Sequence, residues 1–115
     1  MTNVSANVLP GYRHLDLSIL RSFVLIADGR SFGETAVIMD RSPSAITLQI
    51  QKLECFLGAR LLNRSGRAIS LTKAGEALLA DARMLLDAND RMLASFGDRL
   101  LKIAPSLESS ASASL

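Results

Sequence analysis

The stretch SFGETAVIMDRSPSAITLQIQKLECFLG, residues 31–58, decides how this chain folds. It opens with Ser31 and, three residues on, Glu34. That is a capping box: the hydroxyl accepts from the backbone N–H of residue 34 while the carboxylate reaches back to the N–H of residue 31. A helix therefore begins at Phe32, with Phe32, Ala36, Val37 and Met39 as its apolar positions. It must be short, because Asp40-Arg41 leads straight to another start signal, Ser42-Pro43. Here a hydroxyl cap precedes a proline whose missing N–H is harmless in the first turn. In the helix that follows, Ile46, Ile50, Leu53 and Leu57 fall at i, i+4, i+7 and i+11, a stripe that buries one side, and Gly58 ends it. The opposite side presents Ser44, Thr47, Gln51 and Lys52, with Leu48 and Gln49 near its edges. It is polar and mostly uncharged.

Outward from this pair, Asp16 offers an N-cap to a helix carrying Leu17, Leu20, Phe23, Val24 and Ala27, stopped by Gly29. Before it, residues 1–14 lack periodicity and hold the turn pair Pro10-Gly11, as expected of a flexible lead-in. After Gly58 come two short extended stretches, Arg60–Arg64 and Ala68–Leu71, separated by Ser65-Gly66-Arg67: a small β-ribbon with a basic tip. Thr72 caps a last helix that runs without proline from Lys73 to about Ala104, roughly 45 Å at the α-helical rise. The Ser- and Ala-rich residues 105–115 read as a disordered tail. The expected fold is mostly α. A winged helix-turn-helix of three helices plus a β-ribbon wing spans 15–72, and a long linker and dimerisation helix spans 73–104.

Composition agrees with this and narrows the function. Of 115 residues, 49% are hydrophobic and only 4% aromatic, so the core must be aliphatic side chains packed between helices. One domain and an appendage fit that length. No apolar run reaches the roughly 18 residues of a membrane span, and the N-terminus lacks a basic-then-apolar leader, so a cytoplasmic protein is expected. A single cysteine, Cys55, forms no internal disulfide, and the single histidine, His14, has no ligand-spaced neighbours. Cys55 is expected at or near the core and His14 in solvent. No metal, cofactor or enzymatic activity is expected, since no carboxylate pair, nucleophile with its base, or glycine-rich phosphate loop stands out.

Charge is unevenly spread. Residues 1–75 hold nine Lys/Arg against five Asp/Glu, a net +4, whereas residues 76–115 hold four against six, a net −2. Between 41 and 73, Arg41, Lys52, Arg60, Arg64, Arg67 and Lys73 face only Glu54. A basic middle between acidic flanks is the footprint of a nucleic-acid surface. A short capped helix, a tight connection and a helix with one polar face is the arrangement that lays its second helix in a DNA major groove. Small groups such as Ser44 and Thr47 let the backbone approach, and Gln49, Gln51 and Lys52 reach bases or phosphates. Ser31 and Ser42 stand at helix N-termini, whose free N–H groups attract phosphate. Arg64 and Arg67 on the ribbon suit a minor groove. Each feature has a plainer reading: Ser31 and Ser42 would cap helices in any protein, Thr47, Gln49 and Gln51 would make an ordinary solvated face, and Arg64 would anchor the ribbon by pairing with Glu54.

The order of these elements resembles the N-terminal domain of LysR-type transcriptional regulators across residues 15–79. The resemblance runs through Leu17-x-x-Leu20-x-x-Phe23, Gly29-x-Ser31-Phe32, Ser42-x-Ser44-Ala45-Ile46-Thr47, Leu53-Glu54, Leu57-Gly58-x-Arg60-Leu61-Leu62-x-Arg64 and Leu71-Thr72-x-Ala74-Gly75. It implies a bacterial dimer or tetramer that binds pseudo-palindromic promoter DNA and regulates transcription. It also implies base reading at Pro43, Ser44, Thr47 and Leu48, phosphate contact at Ser31, Phe32 and Thr35, and a wing carrying Arg64 and Arg67. The residues themselves add Gln51 to the base-reading set, and Ser42 and Lys52 to the phosphate set. Three departures stand out. Pro43-Ser44 occupies the place where the family commonly has glutamine and then proline, Leu48 stands where arginine is frequent, and Thr35-Ala36 replaces a usual pair of alanines. Leu48 implies an apolar contact to a thymine methyl in place of a guanine contact. The family's effector-binding domain is absent from these 115 residues, as in a fragment or a stand-alone module.

On the long helix, Leu78, Ala82, Leu85, Met92, Phe96 and Ile103 follow steps of four and three, with Asn89 and Arg99 in seam positions. Leu79, Leu86, Leu93 and Leu100 form a second ridge every seven residues. Two adjacent ridges predict a homodimer through this helix, with Asn89 fixing register across the pair. A helix folded back on its own domain is the alternative. A competing function is a protein-interaction module that heterodimerises with a full-length regulator through the same helix.

Overall fold

The computed structural model describes residues 14–65 and 68–103; the lead-in through residue 13, the ribbon tip Gly66-Arg67 and the segment from residue 104 onward, tail included, lie outside them. The elements are α1 Leu17–Ala27, α2 Phe32–Met39, α3 Pro43–Leu57, β1 Leu62–Ser65, β2 Ala68–Leu71 and α4 Lys73–Ile103. They fall into two units, one ending at Leu79 and one beginning at Ala80.

Each helix of the first unit starts and stops where local chemistry dictates. The Asp16 carboxylate accepts from Ser18 Oγ at 2.7 Å and Ser18 N at 2.9 Å, and these bonds hold its pKa below the ordinary 3.8. At α2 both halves of the capping box form: Ser31 Oγ accepts from Glu34 N, and Glu34 Oε1 accepts from Ser31 N, each at 2.9 Å. The helix stops because Asp40 turns into the left-handed region, φ 57°. There Arg41 N donates to Ala36 O at 2.8 Å, using an otherwise orphan carbonyl. Ser42 Oγ then accepts from Ala45 N at 3.1 Å with Pro43 as the first helical residue. Gly58 closes α3 at φ 70°.

Of the apolar positions expected on α2, Val37 instead faces outward, 81% exposed, and Ile26 replaces Ala27 on the inward side of α1. The core gathers Phe23 and Ile26 of α1, Ala36 of α2, Ile46, Ile50 and Leu53 of α3, and Leu61 and Leu62 entering the ribbon. Each larger aliphatic or aromatic side chain buried there stabilises the unit by about 1.5–3 kcal/mol. Ala74, Leu78 and Leu79 of α4 pack against the same cluster.

The antiparallel ribbon pairs Leu62 with Leu71, Asn63 with Ser70, Arg64 with Ile69 and Ser65 with Ala68. It starts later than the expected Arg60 and includes Ser65, because Arg60 and Leu61 bond elsewhere. Glu54 Oε2 accepts from Leu61 N at 2.8 Å and Leu62 N at 3.3 Å. Thr72 N donates to Leu61 O at 3.0 Å. Thr72 Oγ1 donates to Arg60 O at 2.6 Å and accepts from Gly75 N at 2.9 Å, giving the expected cap of α4. This brings the helix backbone hard against the strand: a Cβ on Gly75 would overlap the Leu61 carbonyl oxygen.

The second unit is the remainder of α4. Ala82 and Leu86 are buried, whereas Leu85, Met92, Leu93, Phe96 and Leu100 are exposed, Leu93 and Phe96 by 59% and 54%. Asp87 pairs with Arg91 one turn on at 2.9 Å, a surface contact worth about 0.3–0.5 kcal/mol. The Asn89 amide donates to Asp90 Oδ1 at 3.2 Å within the helix.

Candidate nucleic-acid interface

The polar side of α3 is assembled by its period. Ser44, Thr47, Leu48, Gln51 and Lys52 stand at i, i+3, i+4, i+7 and i+8, one continuous stripe opposite Ile46, Ile50 and Leu53. Pro43, Ser44, Gln51 and Lys52 are exposed, Leu48 is 52% exposed, and Thr47 is half-buried. Cys55 extends the same stripe and is exposed, so the expectation of a near-core cysteine is corrected. Helical phase outweighed its apolar character.

Hydrogen bonding decides what these groups offer. Thr47 Oγ1 donates to Pro43 O at 3.2 Å, which spends its one proton. Outward it has only acceptor lone pairs and a methyl, suited to an amino group on cytosine or adenine or to a thymine methyl. Ser31 Oγ and Ser42 Oγ accept backbone N–H bonds at the starts of α2 and α3. The Ser31 hydroxyl proton remains to give to a phosphate oxygen. Ser42 Oγ also lies 3.2 Å from Ser44 Oγ.

The wing is tied to α2. The Arg64 guanidinium lies over the Phe32 ring, 4.7 Å from its centroid, a cation–π contact that sets its charge beside the N-terminus of α2. The alternative pairing of Arg64 with Glu54 is therefore corrected: the basic partner of Glu54 is Arg60, at 3.7 Å. Arg67 lies outside the described residues.

Two further expectations change. Thr35 is fully buried with no hydrogen-bond partner for Oγ1, so its expected contact with phosphate is corrected. It falls one turn before Met39 and three residues after Phe32, on the inward stripe of α2. Gln49 is 9% exposed, and its Oε1 accepts from Ser22 Oγ of α1 at 2.8 Å. It belongs to the helix–helix contact, not to the polar face. Sequence reasoning also passed over Ser22, although it lies on the inward phase of α1 between Ile19 and Ile26, as Gln49 lies between Ile46 and Leu53. A polar residue on a buried stripe was the available signal. His14 is exposed as expected, and no cluster of metal-ligating side chains occurs among the described residues.

The model of the bacterial regulatory helix-turn-helix protein, lysR family, matches residues 17–76. Among curated relatives, the regulator PecT of Dickeya dadantii is 43% identical over 95 residues, covering 83% of this chain and 29% of that protein. The regulator DgdR of Burkholderia cepacia is 38% identical over 82 residues, covering 71% and 28%. Among solved structures, the CbnR DNA-binding domain in complex with DNA superposes with a TM-score of 0.65 at 37% identity, covering 77% of this chain and 98% of that one. Oxidised OxyR of Corynebacterium glutamicum gives 0.66 at 36% identity, covering 72% and 26%. The chain thus spans less than a third of the length of the curated relatives it matches. Those relatives are transcriptional regulators, not enzymes.

Proposed function

Because the chain belongs to the LysR family of bacterial helix-turn-helix regulators, we propose that it binds double-stranded DNA in a sequence-dependent way and regulates transcription as a dimer at a pseudo-palindromic promoter site. In this reading α3 lies in the major groove, with Pro43, Ser44, Thr47, Leu48 and Gln51 against base edges. Ser31, Phe32, Ser42 and Lys52 hold the sugar-phosphate backbone, and Arg64 with Arg67 brings the ribbon to the adjacent minor groove. The observation that carries the reading is the exposed stripe from Ser44 to Lys52 opposite a buried one on the same helix. A solved CbnR domain complexed with DNA has the same fold at 37% identity, which supports the placement.

Dimerisation is assigned to α4. Leu85, Met92, Leu93, Phe96 and Leu100 leave a run of apolar surface that water disfavours, with Leu78, Leu79 and Ala82 before it and Leu86 and Asn89 within it in sequence. Ala82 and Leu86, already buried in the single chain, have the least surface to give. The site of action is the bacterial cytoplasm, at the nucleoid. The same exposed face also favours a second reading, pairing with a longer regulator.

Selection of bound duplexes from a random pool tests the first reading. Thr47→Ala should change the preferred base at one position, while Arg64→Ala weakens binding evenly and lowers the salt slope by about 1. If no sequence is enriched and binding is indifferent to salt, α3 is not a reading helix and the pairing module stands instead.

A further inference from the structure

Resting on the assignment of α3 as the reading helix, we propose that the buried Ser22–Gln49 hydrogen bond fixes the roll of α3, making Gln49 a positioning residue for base recognition although it touches no DNA. Ser22 is 0% and Gln49 9% exposed, and Ser22 Oγ donates to Gln49 Oε1 at 2.8 Å. The same hydroxyl lies 3.2 Å from Ser18 O, an alternative acceptor on its own helix for its one proton. The two helices, α1 and α3, supply Phe23, Ile26, Ile46, Ile50 and Leu53 to the buried apolar cluster.

Apolar contacts attract without direction, and a core of aliphatic side chains tolerates small rotations with repacking. A hydrogen bond in a dry interior does not: it needs a donor–acceptor distance near 2.8 Å and near-linear geometry, and its loss leaves a costly unpaired group. Gln49 stands 100° around the helix from Leu48 and within three residues of Thr47, Gln51 and Lys52. At a side-chain radius of about 6 Å, a 20° roll of α3 carries those groups about 2 Å sideways, enough to lose a base contact. Gln49 also borders a recess shared with Leu48, Lys52 and Arg41, so the buried bond and the outward face meet at one residue. The stripe Ile46, Ile50 and Leu53 holds α3 down, and the bond sets its angle.

The test compares the full chain with Gln49→Met, Ser22→Ala and the double variant, using a duplex taken from in vitro selection and a random-sequence duplex of equal length. The readout is the ratio of the two affinities, measured well below each variant's Tm. A loss of folded protein lowers both affinities alike and leaves the ratio unmoved. Each single variant should lower the ratio about tenfold, the value of one well-placed base contact, and the double variant no further. Gln49→Met is close in volume and keeps Ser22 bonded to Ser18, so it should remain folded even where Ser22→Ala does not. A ratio within twofold of the unmodified chain in Gln49→Met overturns the proposal while the reading-helix assignment survives. If the unmodified chain itself prefers no duplex, both fall.

Discussion

Two glycines on one helix mark the difference between the two units. At Gly75, in the first, a Cβ would strike the Leu61 carbonyl, whereas at Gly97, in the second, nothing lies within 4 Å. In the first unit the chain just before β1 is pressed onto a helix, and of its buried side-chain polar atoms Thr35 Oγ1 alone lacks a partner among the described residues. The second leaves more of the large apolar side chains at its surface, among them Met92, Leu93 and Phe96, than the first, which exposes Val37, Ile38, Leu48 and Ile69. The same helix is thus packed against backbone at one end and open at the other.

The sharpest way to break this contrast is to add the same methyl group at both places. Alanine favours a helix over glycine by about 1 kcal/mol, so Gly97→Ala should raise stability by up to that amount. Gly75→Ala should lower it by about 3 kcal/mol, because backbone must move to make room. Urea unfolding followed by circular dichroism reads both, and equal effects would erase the distinction. Next in size is Leu93→Asp with Phe96→Asp. These should weaken self-association by about 100-fold in sedimentation, since each change is counted twice in a symmetric pair, while leaving first-unit unfolding in place. Unchanged association would remove α4 from the interface.

A smaller effect lies inside the first unit. Thr35→Val keeps the shape and removes a buried hydroxyl without a partner, so it should raise the Tm, by about 1 kcal/mol of stability. A lower Tm would mean that the hydroxyl is bonded after all. Smallest is the cap at Asp16. Its folded pKa is lowered, so the stability it contributes is present above the ordinary carboxylate range and lost as pH falls through the lowered value. Thermal unfolding of Asp16→Asn against the unmodified chain should show the gap between them shrinking toward acid and level at neutral pH.

What could be read in the sequence was local. Ser31 with Glu34, Ser42 with Pro43, and Gly58 each bond within a few residues, so the helix limits followed from short motifs. The stripe Ile46, Ile50, Leu53 and Leu57 gave the orientation of α3. What escaped was polarity that pays off only at a distance: Ser22 and Gln49 are 27 residues apart, and Glu54 meets Leu61 across a turn. Thr35 and Cys55 were placed by residue type or family likeness when their helical phase pointed the other way. The wing's start was misplaced because Arg60 and Leu61, extended in pattern, bond sideways to Thr72 and Glu54.

The Glu54 carboxylate has a geometric consequence. By gripping two successive amides at the mouth of the ribbon, it ties the end of α3 to the start of β1, the two parts that the proposed function sets against DNA. On the proposed reading, the spacing between the bases set against α3 and the groove set against the ribbon is then fixed by the protein. A single base pair inserted between those two places in a binding site should, on that reading, weaken binding relative to the uninserted duplex.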